Sequence, residues 1–366
     1  MRIISIANQK GGCGKTTTAI NLSACLAEKE RRVLVIDMDP QGHSTMGFNI
    51  DGEQAPVTMF DLLNPEPGKR KHITGAIQKI SKNLYIIPSN VLLSAIEQKL
   101  SGMDDRENQL KFALAELPPD FYHYIIIDCP PSVGLLTFNA LLASGEVIIP
   151  IEGSYFSLHG VGKLLETIKV IEERLGHQIS FKALATVYDR RTRMSREVLD
   201  EIRGHFKENA FTTVIHNAVK LREAASLGKP ITAYSRSCVA YEDYVSLANE
   251  VIMDESKYGM EIKPFEENEM NDLSAIIQEY KEVEFIYPDA NAKSVEIAGE
   301  FNNWKPEQCA LYTENGKVEW RKKIRLAPGT FQYKFIVDGR WQADPNNPFH
   351  VEGSYGGFNS VIEVGR

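Results

Sequence analysis

Apolar residues in positions 1–253 form short continuous runs, and between these runs they recur at the spacing of a helix. The runs are typical of strands with both faces buried: RIISIAN (2–8), RVLVID (32–37), LYIIP (84–88), YIIID (124–128), EVIIPI (146–151) and FKALATVYD (181–189). Helical spacing occurs in residues 15–29, 106–116, 157–175 and 193–208. This alternation predicts an α/β fold with a doubly wound, mostly parallel sheet.

The pattern changes in residues 283–366, where short alternating strands are separated by Gly, Pro and Asn turns. Such a segment predicts a small all-β sandwich. Residues 254–282 form an acidic linker with an amphipathic pattern, which predicts a helix docked on a neighbouring domain. Its apolar positions at helical spacing are Met270, Leu273, Ile276, Ile277 and Tyr280.

The charge of the chain is unevenly distributed. Residues 254–289 hold 3 basic against 11 acidic residues, whereas residues 182–236 hold 11 basic against 6 acidic residues. The five cysteines lack the spacing of metal ligands, and no apolar run approaches the roughly 18 residues of a membrane span. A signal-peptide pattern is also missing. We therefore expect a reduced, cytoplasmic protein without a membrane partner.

A glycine-rich loop, QKGGCGKTTT (9–18), follows the first predicted strand and precedes a predicted helix. Glycines let successive backbone N–H groups surround a phosphate, and the helix N-terminus adds a favourable dipole. Lys15 is expected to reach the β- and γ-phosphates and Thr16 to bind Mg²⁺. Gln9 stands where the strict P-loop pattern has glycine, and Lys10 is an additional lysine. The predicted nucleotide-binding residues are Lys10, Gly11, Gly12, Cys13, Gly14, Lys15, Thr16 and Thr17.

Carboxylates follow two further strands. DMDPQGHST (37–45) places Asp37 and Asp39 on one face of a strand end, because residues two apart in a strand share a face. IIIDCPPS (125–132) ends an apolar strand with Asp128, from which a carboxylate can hold Mg²⁺ through a water. Taken singly, either aspartate is as typical of a helix cap or a turn as it is of a phosphate or Mg²⁺ site. Ligands bind at the carboxyl ends of such strands, so we expect these aspartates to approach the phosphates.

Residues 1–253 resemble the ParA/Soj branch of the deviant Walker ATPases, a group that includes MinD and the nitrogenase iron protein. The segments that carry the resemblance are KGGCGKTT, DMDPQGHST, DCPPS and KLREAASLGKPI (220–231). The cysteines do not match the cluster ligands of the iron protein. MinD uses a basic tail at the membrane, where this chain continues into an acidic linker.

The resemblance implies that ATP is hydrolysed to ADP and phosphate, with Mg²⁺, by a homodimer that encloses the nucleotide. In such a dimer Lys10 reaches the ATP of the partner subunit. Asp39 positions the attacking water, and Asp128 is the Walker B residue. The predicted catalytic residues are Lys10, Lys15 and Asp39, and the predicted Mg²⁺ ligands are Thr16 and Asp128.

The excess of basic residues in positions 182–236 has two interpretations. Clustered lysines and arginines can neutralise DNA phosphates without reading bases, or they can form a solvated helix face. The ParA/Soj resemblance implies non-specific DNA binding by the ATP-bound dimer, with Arg203, Lys220 and Arg222 as candidates. Lys220 matches the basic position of the family's VRLSEAP-like segment, whereas Arg222 and Ala225 replace its usual Ser and Pro.

The segments VEIAGEFNNWKPE, FQYKFIVDGRWQADPNNP and GGFNSVIEV resemble the glycogen-binding module of the AMP-activated protein kinase β subunit. By that resemblance, Trp304 and Trp341 stack on sugar rings, and Lys334 and Asn359 hydrogen-bond glucose hydroxyls. Two positions depart from that family: Tyr355 replaces a frequent Leu and Gly357 a frequent Thr. Trp320 is expected in the core of the sandwich.

The combined resemblance predicts a partition-type ATPase that dimerises with ATP, binds DNA and carries a module for an α-glucan such as glycogen. A ParB-like protein is the expected type of activator, and association with the nucleoid would follow from DNA binding. Two alternatives remain at this stage. One is a carbohydrate-sensing ATPase without a DNA role, and the other is a partition ATPase whose β-module docks a partner protein.

Overall fold

The computed structural model describes residues 1–66, 68–118, 121–153, 157–255, 281–302, 304–314, 317–326, 329–352 and 357–365. The chain divides into two compact units, Met1–Lys263 and Pro264–Arg366. The amphipathic positions predicted between residues 270 and 280 lie outside the described residues, as does Tyr355. Within the described ranges, no helix has both the length and the apolar character needed to span a bilayer.

The first unit is built on an eight-stranded sheet. Its strands are β1 (Arg2–Ile6), β2 (Val33–Asp37), β3 (Gln78–Ser81), β4 (Leu84–Ile87), β5 (Tyr124–Asp128), β6 (Glu146–Glu152), β7 (Ser180–Tyr188) and β8 (Ala210–His216). Their order is β3-β4-β2-β5-β1-β6-β7-β8. Among these strands only β3 runs antiparallel to its neighbour, so the predicted doubly wound, mostly parallel fold is confirmed.

Helices cover this sheet. They are α1 (Lys15–Glu28), α2 (His43–Gly47), α3 (Met59–Leu63), α4 (Ile96–Lys99), α5 (Gln109–Leu114), α6 (Leu135–Ala143), α7 (Ser157–Leu175), α8 (Arg193–Phe206), α9 (Val219–Ser226), α10 (Ile231–Tyr234) and α11 (Val239–Met253). Leu22 and Leu26 of α1 share a buried apolar cluster with Tyr244 and Leu247 of α11. This packing fixes the position of α1 and therefore of the loop that precedes it.

The carboxyl ends of the central strands lie at one level. Ile6 of β1 pairs with Asp128 of β5, and Asp128 pairs in turn with Asp37 of β2. In the sheet, β2 and β4 lie on one side of β1, and the later strands β6, β7 and β8 lie on its other side. A change of direction of this kind opens a crevice at the carboxyl ends of the strands, where α/β sheets bind ligands.

The second unit consists of antiparallel sheets, as predicted. Its strands are β9 (Lys281–Tyr287), β10 (Val295–Gly299), β11 (Glu307–Gln308), β12 (Ala310–Glu314), β13 (Lys317–Leu326), β14 (Gly329–Val337), β15 (Arg340–Gln342), β16 (His350–Glu352) and β17 (Phe358–Val364). One sheet has the order β11-β10-β14-β17-β16, with β15 also paired to β14, and the other has the order β12-β13-β9.

Aromatic side chains fill the core of the second unit. Phe285, Tyr333 and Phe335 are buried together with Trp320. The indole N–H of Trp320 donates to the carbonyl oxygen of Asp289 at 3.0 Å, so the polar atom of this ring is satisfied inside the protein. Trp320 is therefore a core residue, as its place in the strand pattern predicts.

Candidate functional site

The loop between β1 and α1 has the backbone conformation that its glycines predict. Gly12 and Gly14 adopt positive φ angles of 78° and 87°, which are costly for any residue with a Cβ. Gly14 immediately precedes α1, and its carbonyl oxygen accepts a hydrogen bond from the N–H of Thr18 at 2.8 Å. The first N–H groups of α1 therefore lie beside the loop, an arrangement that favours an anion.

Side chains hold this loop in place. The ammonium group of Lys15 donates to the carbonyl oxygen of Lys10 at 3.0 Å. The Cys13 side chain is buried, with its Sγ 3.1 Å from the same carbonyl oxygen. Thr186 of β7 donates from its hydroxyl to the carbonyl oxygen of Cys13 at 2.7 Å. Cys13 can therefore contribute only its backbone to a phosphate site, and burial raises the pKa of its thiol.

A cleft of about 1530 Å³ opens beside the loop. Predicted nucleotide residues that line it are Gly11, Gly12, Gly14, Lys15, Thr16 and Thr17. Asp39 and the residues that follow it also line this cleft. The structure thus brings the glycine-rich loop and Asp39 together, as the sequence predicts.

Asp128 is fully buried at the carboxyl end of β5. Its Oδ2 accepts a hydrogen bond from the Ser44 hydroxyl at 2.7 Å, while its Oδ1 is buried without a hydrogen-bond partner among the described residues. Burial raises the pKa of Asp128, and the neighbouring hydroxyls of Ser44 and Thr16 partly oppose this effect. An orphaned carboxylate oxygen beside a threonine hydroxyl fits a hard cation such as Mg²⁺.

Asp37 and Asp39 have different environments. Both carboxylate oxygens of Asp37 are occupied, because Oδ2 accepts from the N–H and hydroxyl of Thr45 at 2.8 and 2.7 Å and Oδ1 accepts from the N–H of Asp39 at 3.1 Å. Burial and the nearby Asp128 carboxylate raise the pKa of Asp37. Asp37 therefore fixes the loop that carries Asp39 and does not line the cleft, contrary to the expectation that both would approach the phosphates.

In this structure Lys10 forms an ion pair with Glu152. Its ammonium group lies 2.5 Å from the Glu152 carboxylate at the end of β6, and both side chains are 30% exposed. Lys10 is also absent from the residues that line the cleft within the described chain. The two lysines of the loop are thus oriented differently, with Lys15 alongside the cleft and Lys10 beside Glu152.

The segment from Leu221 to Lys229 forms a further wall of the cleft, a position that the sequence analysis does not predict. Asn21 of α1 connects this wall to the glycine-rich loop, because its Oδ1 accepts a hydrogen bond from the N–H of Ile231 at 2.7 Å. A Cβ on Gly228 would lie 2.9 Å from the backbone of Asn49, so glycine permits this close approach. The sequence signal for this wall is Asn21, a polar residue on the buried face of α1.

The predicted DNA-binding side chains are exposed and lie on two helices. Lys220 and Arg222 lie on α9, and Arg203 lies on α8. The Lys220 ammonium group is 2.7 Å from Glu223, and Arg203 donates to the carbonyl oxygen of Thr212 at 3.4 Å. Exposed cations of this kind can exchange such neighbours for phosphate oxygens.

In the second unit, Trp304 and Trp341 form an aromatic pair on the surface. Their ring centroids are 6.4 Å apart, with 45° between the ring planes. Trp341 is 49% exposed, whereas Trp304 is partly buried and has a φ angle of 61°. The N–H of Trp304 donates to the carbonyl oxygen of Gly299 at 2.8 Å, which holds this unusual backbone in place.

Strand register places the other two predicted sugar contacts on the same face. Trp341 pairs with Ile336 of β14, so Lys334, two residues away, shares its face. Tyr333 pairs with Ser360, which places Asn359 opposite Lys334 on β17. A Cβ at Gly357 would lie 3.7 Å from the Lys334 ammonium group, so glycine leaves this end of the lysine uncovered by a side chain at that position.

Asn359 is less accessible to solvent than a residue that hydrogen-bonds a sugar is expected to be. It is only 7% exposed, and its Nδ2 donates to Oε1 of Gln332 at 2.9 Å. The position of Asn359 opposite Lys334 agrees with the resemblance. A sugar hydroxyl could reach only those polar atoms of its amide that the contact with Gln332 leaves open.

Comparisons with known proteins agree with this division of the chain. Residues 1–181 match the AAA domain family. The chain is 41% identical over 254 residues to the chromosome partitioning protein ParA of Myxococcus xanthus, with 69% of this chain and 88% of that protein covered. It is also 41% identical over 251 residues to the sporulation initiation inhibitor protein Soj of Bacillus subtilis, with 68% and 98% covered. The chain belongs to the ParA/Soj family.

Solved structures share the fold of the first unit of this ParA/Soj-family chain. Cobyrinic acid a,c-diamide synthase from Mycobacterium smegmatis, solved with bound ADP and magnesium, is 31% identical. It has a TM-score of 0.59, with 73% of this chain and 99% of that chain covered. The ATP complex of a Cyanothece McdA variant, at 22% identity and a TM-score of 0.60, shares the fold over 72% of this chain and 99% of that chain. These ligands are of the kind predicted here, ATP and Mg²⁺.

The second unit of the ParA/Soj-family chain has a separate family match. Residues 282–366 match the family described as the glycogen recognition site of AMP-activated protein kinase. One polypeptide therefore combines a ParA/Soj-family domain with a segment that matches a glycogen-recognition family.

Proposed function

We propose that this protein is a Mg²⁺-dependent ATPase that dimerises with ATP, binds DNA non-specifically as that dimer, and attaches an α-glucan through its C-terminal module. The observation that carries the proposal is the presence of two separately assembled sites on one chain. One is the nucleotide cleft of the first unit, and the other is the sheet face that carries Trp304 and Trp341 in the second unit.

Each residue of the cleft has a defined task in this proposal. Lys15 and the N–H groups of the glycine-rich loop bind the β- and γ-phosphates. Thr16 and Asp128 would hold Mg²⁺, which neutralises charge on the phosphate oxygens when it is bound. Asp39 lines the same cleft and is proposed to orient the water that attacks the γ-phosphorus. Its Oδ1 already accepts a hydrogen bond from the N–H of Gln41 at 2.9 Å, which fixes the carboxylate.

Dimerisation explains the position of Lys10. The side chain pairs with Glu152 and is not among the described residues that line its own cleft. In the proposed dimer, Lys10 leaves Glu152 and reaches the ATP of the partner subunit. The resulting charge contact forms only when two subunits and the nucleotide are present together.

The wall formed by Leu221–Lys229 provides a route from ATP to DNA. Lys220 and Arg222 belong to α9, the helix that enters this wall, so a nucleotide in the cleft contacts the same element that carries the cationic side chains. We infer that ATP-driven dimerisation places two copies of this helix on one DNA duplex. Contacts of this kind read the phosphate backbone and not the bases.

Attachment to glucan is proposed for the face that carries Trp341, Lys334 and Asn359. Sugar rings have apolar C–H faces that pack against aromatic rings, while polar side chains fix their orientation. The protein would thus connect a glucan particle to the nucleoid. In this arrangement intrinsic ATP turnover is slow, and a ParB-like protein acts as the activator that releases DNA.

Co-sedimentation with glycogen tests this function directly. The wild-type chain should sediment with glycogen, and DNA should join the pellet only when ATP and Mg²⁺ are present. Trp341→Ala should remain in the supernatant under the same conditions, while its DNA binding is unchanged. If the wild-type chain does not sediment with glycogen but still binds DNA with ATP, the module docks a partner protein instead.

A further inference from the structure

We propose that the glucan surface extends past Trp341 to a second aromatic platform at Phe349, so that the module selects long linear α-glucan chains over short ones. This inference rests on the proposed glucan function of the module. It concerns residues of the β16 edge that none of the predicted sugar contacts includes.

Strand register places Phe349 on the sugar-binding face. Val351 of β16 pairs with Asn359 of β17. The N–H of Val361 donates to the carbonyl oxygen of Phe349 at 2.9 Å, so the pairing of the two strands continues one step further. Alternate residues of a strand share a face, and Phe349 is therefore on the face that carries Val351 and Asn359.

The side chains at this edge are open to solvent. Phe349 is 71% exposed, which makes its ring more accessible than that of Trp341, and Val351 is 39% exposed. A ring that is 71% exposed gains little from burial in this fold. Its position beside a face that already carries an aromatic pair makes a further stacking contact the use that fits its chemistry.

The two platforms are separated by a distance that a chain can span. Trp341 pairs with Ile336 of β14, whereas Val361, the neighbour of Phe349, pairs with Gln332 of the same strand. β10 occupies the other edge of β14, so β15 and β17 follow one another along one edge. Four residues along a strand and one strand spacing across give a separation of roughly 14 Å between the backbone positions of Trp341 and Phe349.

Polar groups lie between the platforms. Lys334 of β14 and Asn359 of β17 occupy the intermediate register, with Gln332 hydrogen-bonded to Asn359. A chain that stacks on both aromatic ends therefore crosses donors and acceptors suited to sugar hydroxyls. A short oligosaccharide can fill one end only, and it gains nothing from the second ring.

The same hairpin offers a matched control. Phe358 neighbours Asn359 in β17 and is 58% exposed, but its side chain lies on the opposite face of the strand. Phe349→Ala and Phe358→Ala thus remove the same exposed side chain from opposite faces of one pair of strands. Phe349→Tyr keeps the ring and serves as a conservative variant.

The experiment is a calorimetric titration of the full chain with maltoheptaose and with maltotriose. Phe349→Ala should weaken maltoheptaose binding roughly two- to tenfold, the range expected for one aromatic contact. Its affinity for maltotriose should stay at the wild-type value. Phe358→Ala should match the wild type with both sugars, and Phe349→Tyr should restore maltoheptaose affinity.

The outcomes separate this inference from the function on which it rests. Equal maltoheptaose affinity for Phe349→Ala and the wild type would overturn the extended surface and leave the glucan function intact. An equal loss of affinity for both sugars would also overturn it, because Phe349 would then act on the whole module. If the wild type binds neither sugar, the glucan function itself fails.

Discussion

The ion pair between Lys10 and Glu152 allows the proposed dimerisation to be tested with one substitution. The Lys10 ammonium group lies 2.5 Å from the Glu152 carboxylate. If Lys10 must reach the ATP of the partner subunit, both copies of this ion pair break when the dimer forms. Glu152→Gln keeps the size and hydrogen-bonding capacity of the side chain but removes its charge. This variant should therefore form the ATP-bound dimer more readily than the wild type.

The size of the effect follows from the exposure of the pair. Both side chains are 30% exposed, and ion pairs in such surroundings contribute about 0.2–1 kcal/mol. Two pairs break per dimer, so the cost of dimerisation falls by about 0.4–2 kcal/mol, or roughly two- to thirtyfold in the dissociation constant. The difference should shrink at high ionic strength, because salt screens exposed charges.

Sedimentation velocity with a non-hydrolysable ATP analogue and Mg²⁺ measures the dimer dissociation constant. Glu197→Gln is the matched control, because Glu197 also pairs with a cation, Arg193, but on α8 and away from the cleft. That control should dimerise like the wild type. A dissociation constant for Glu152→Gln equal to or weaker than that of the wild type would refute the idea that Lys10 must leave Glu152.

Substitutions in the nucleotide cleft, on α9 and at Trp341 test the remaining proposed sites. Lys15→Ala should weaken ATP binding at least roughly tenfold in calorimetry, because a charge-assisted contact with the phosphates is lost. Asp39→Ala should still bind ATP but release little phosphate, and it should elute as a dimer from a sizing column; unchanged turnover would exclude Asp39 from the mechanism. Replacing Lys220 and Arg222 together with Glu should abolish ATP-dependent DNA shifts while nucleotide binding persists, and equal shifts would place DNA on another surface. Trp341→Ala should lower maltoheptaose affinity by about 1–3 kcal/mol and suppress the change in tryptophan emission on titration, whereas an emission change of wild-type size would argue against stacking on this ring.

The sequence identifies the central strands of the first unit better than its edges. β2 and β5 are buried on both faces and therefore appear as continuous apolar runs. β3 and β8 are the two edge strands and were not predicted, because their exposed positions carry polar residues such as Lys79 and Thr212. A strand with solvent on one side loses the apolar continuity on which the prediction depends.

The nucleotide cleft could be predicted where its residues are close in sequence, and not where tertiary packing decides. The positive φ angles of Gly12 and Gly14 follow from local sequence. The different environments of Asp37 and Asp39 do not, because they depend on Thr45 folding back to occupy the Asp37 carboxylate. The wall near Gly228 is not predicted either, because it lies about 200 residues after the glycine-rich loop that lines the same cleft.

The same limit applies to the second unit. The motif identifies Lys334 and Asn359, but only the register of β14 and β17 shows that they face each other. The burial of Asn359 under its contact with Gln332 is a property of the folded sheet and has no sequence signature. Phe349 illustrates the converse, because its apolar character suggests a core residue until its exposure is known.

Joining the two units in one chain has a physical consequence that neither unit has alone. Each chain carries one module proposed to bind glucan, so the proposed ATP-bound dimer carries two. Once one module is bound to a branched glucan, the second binds from an effective concentration that the length and stiffness of the connection between the modules determine. Attachment to a many-ended polymer can then become much tighter than attachment to one free oligosaccharide, without any new contact. Because dimerisation is proposed to require ATP, ATP would strengthen binding to glucan and to DNA together, and hydrolysis would weaken both.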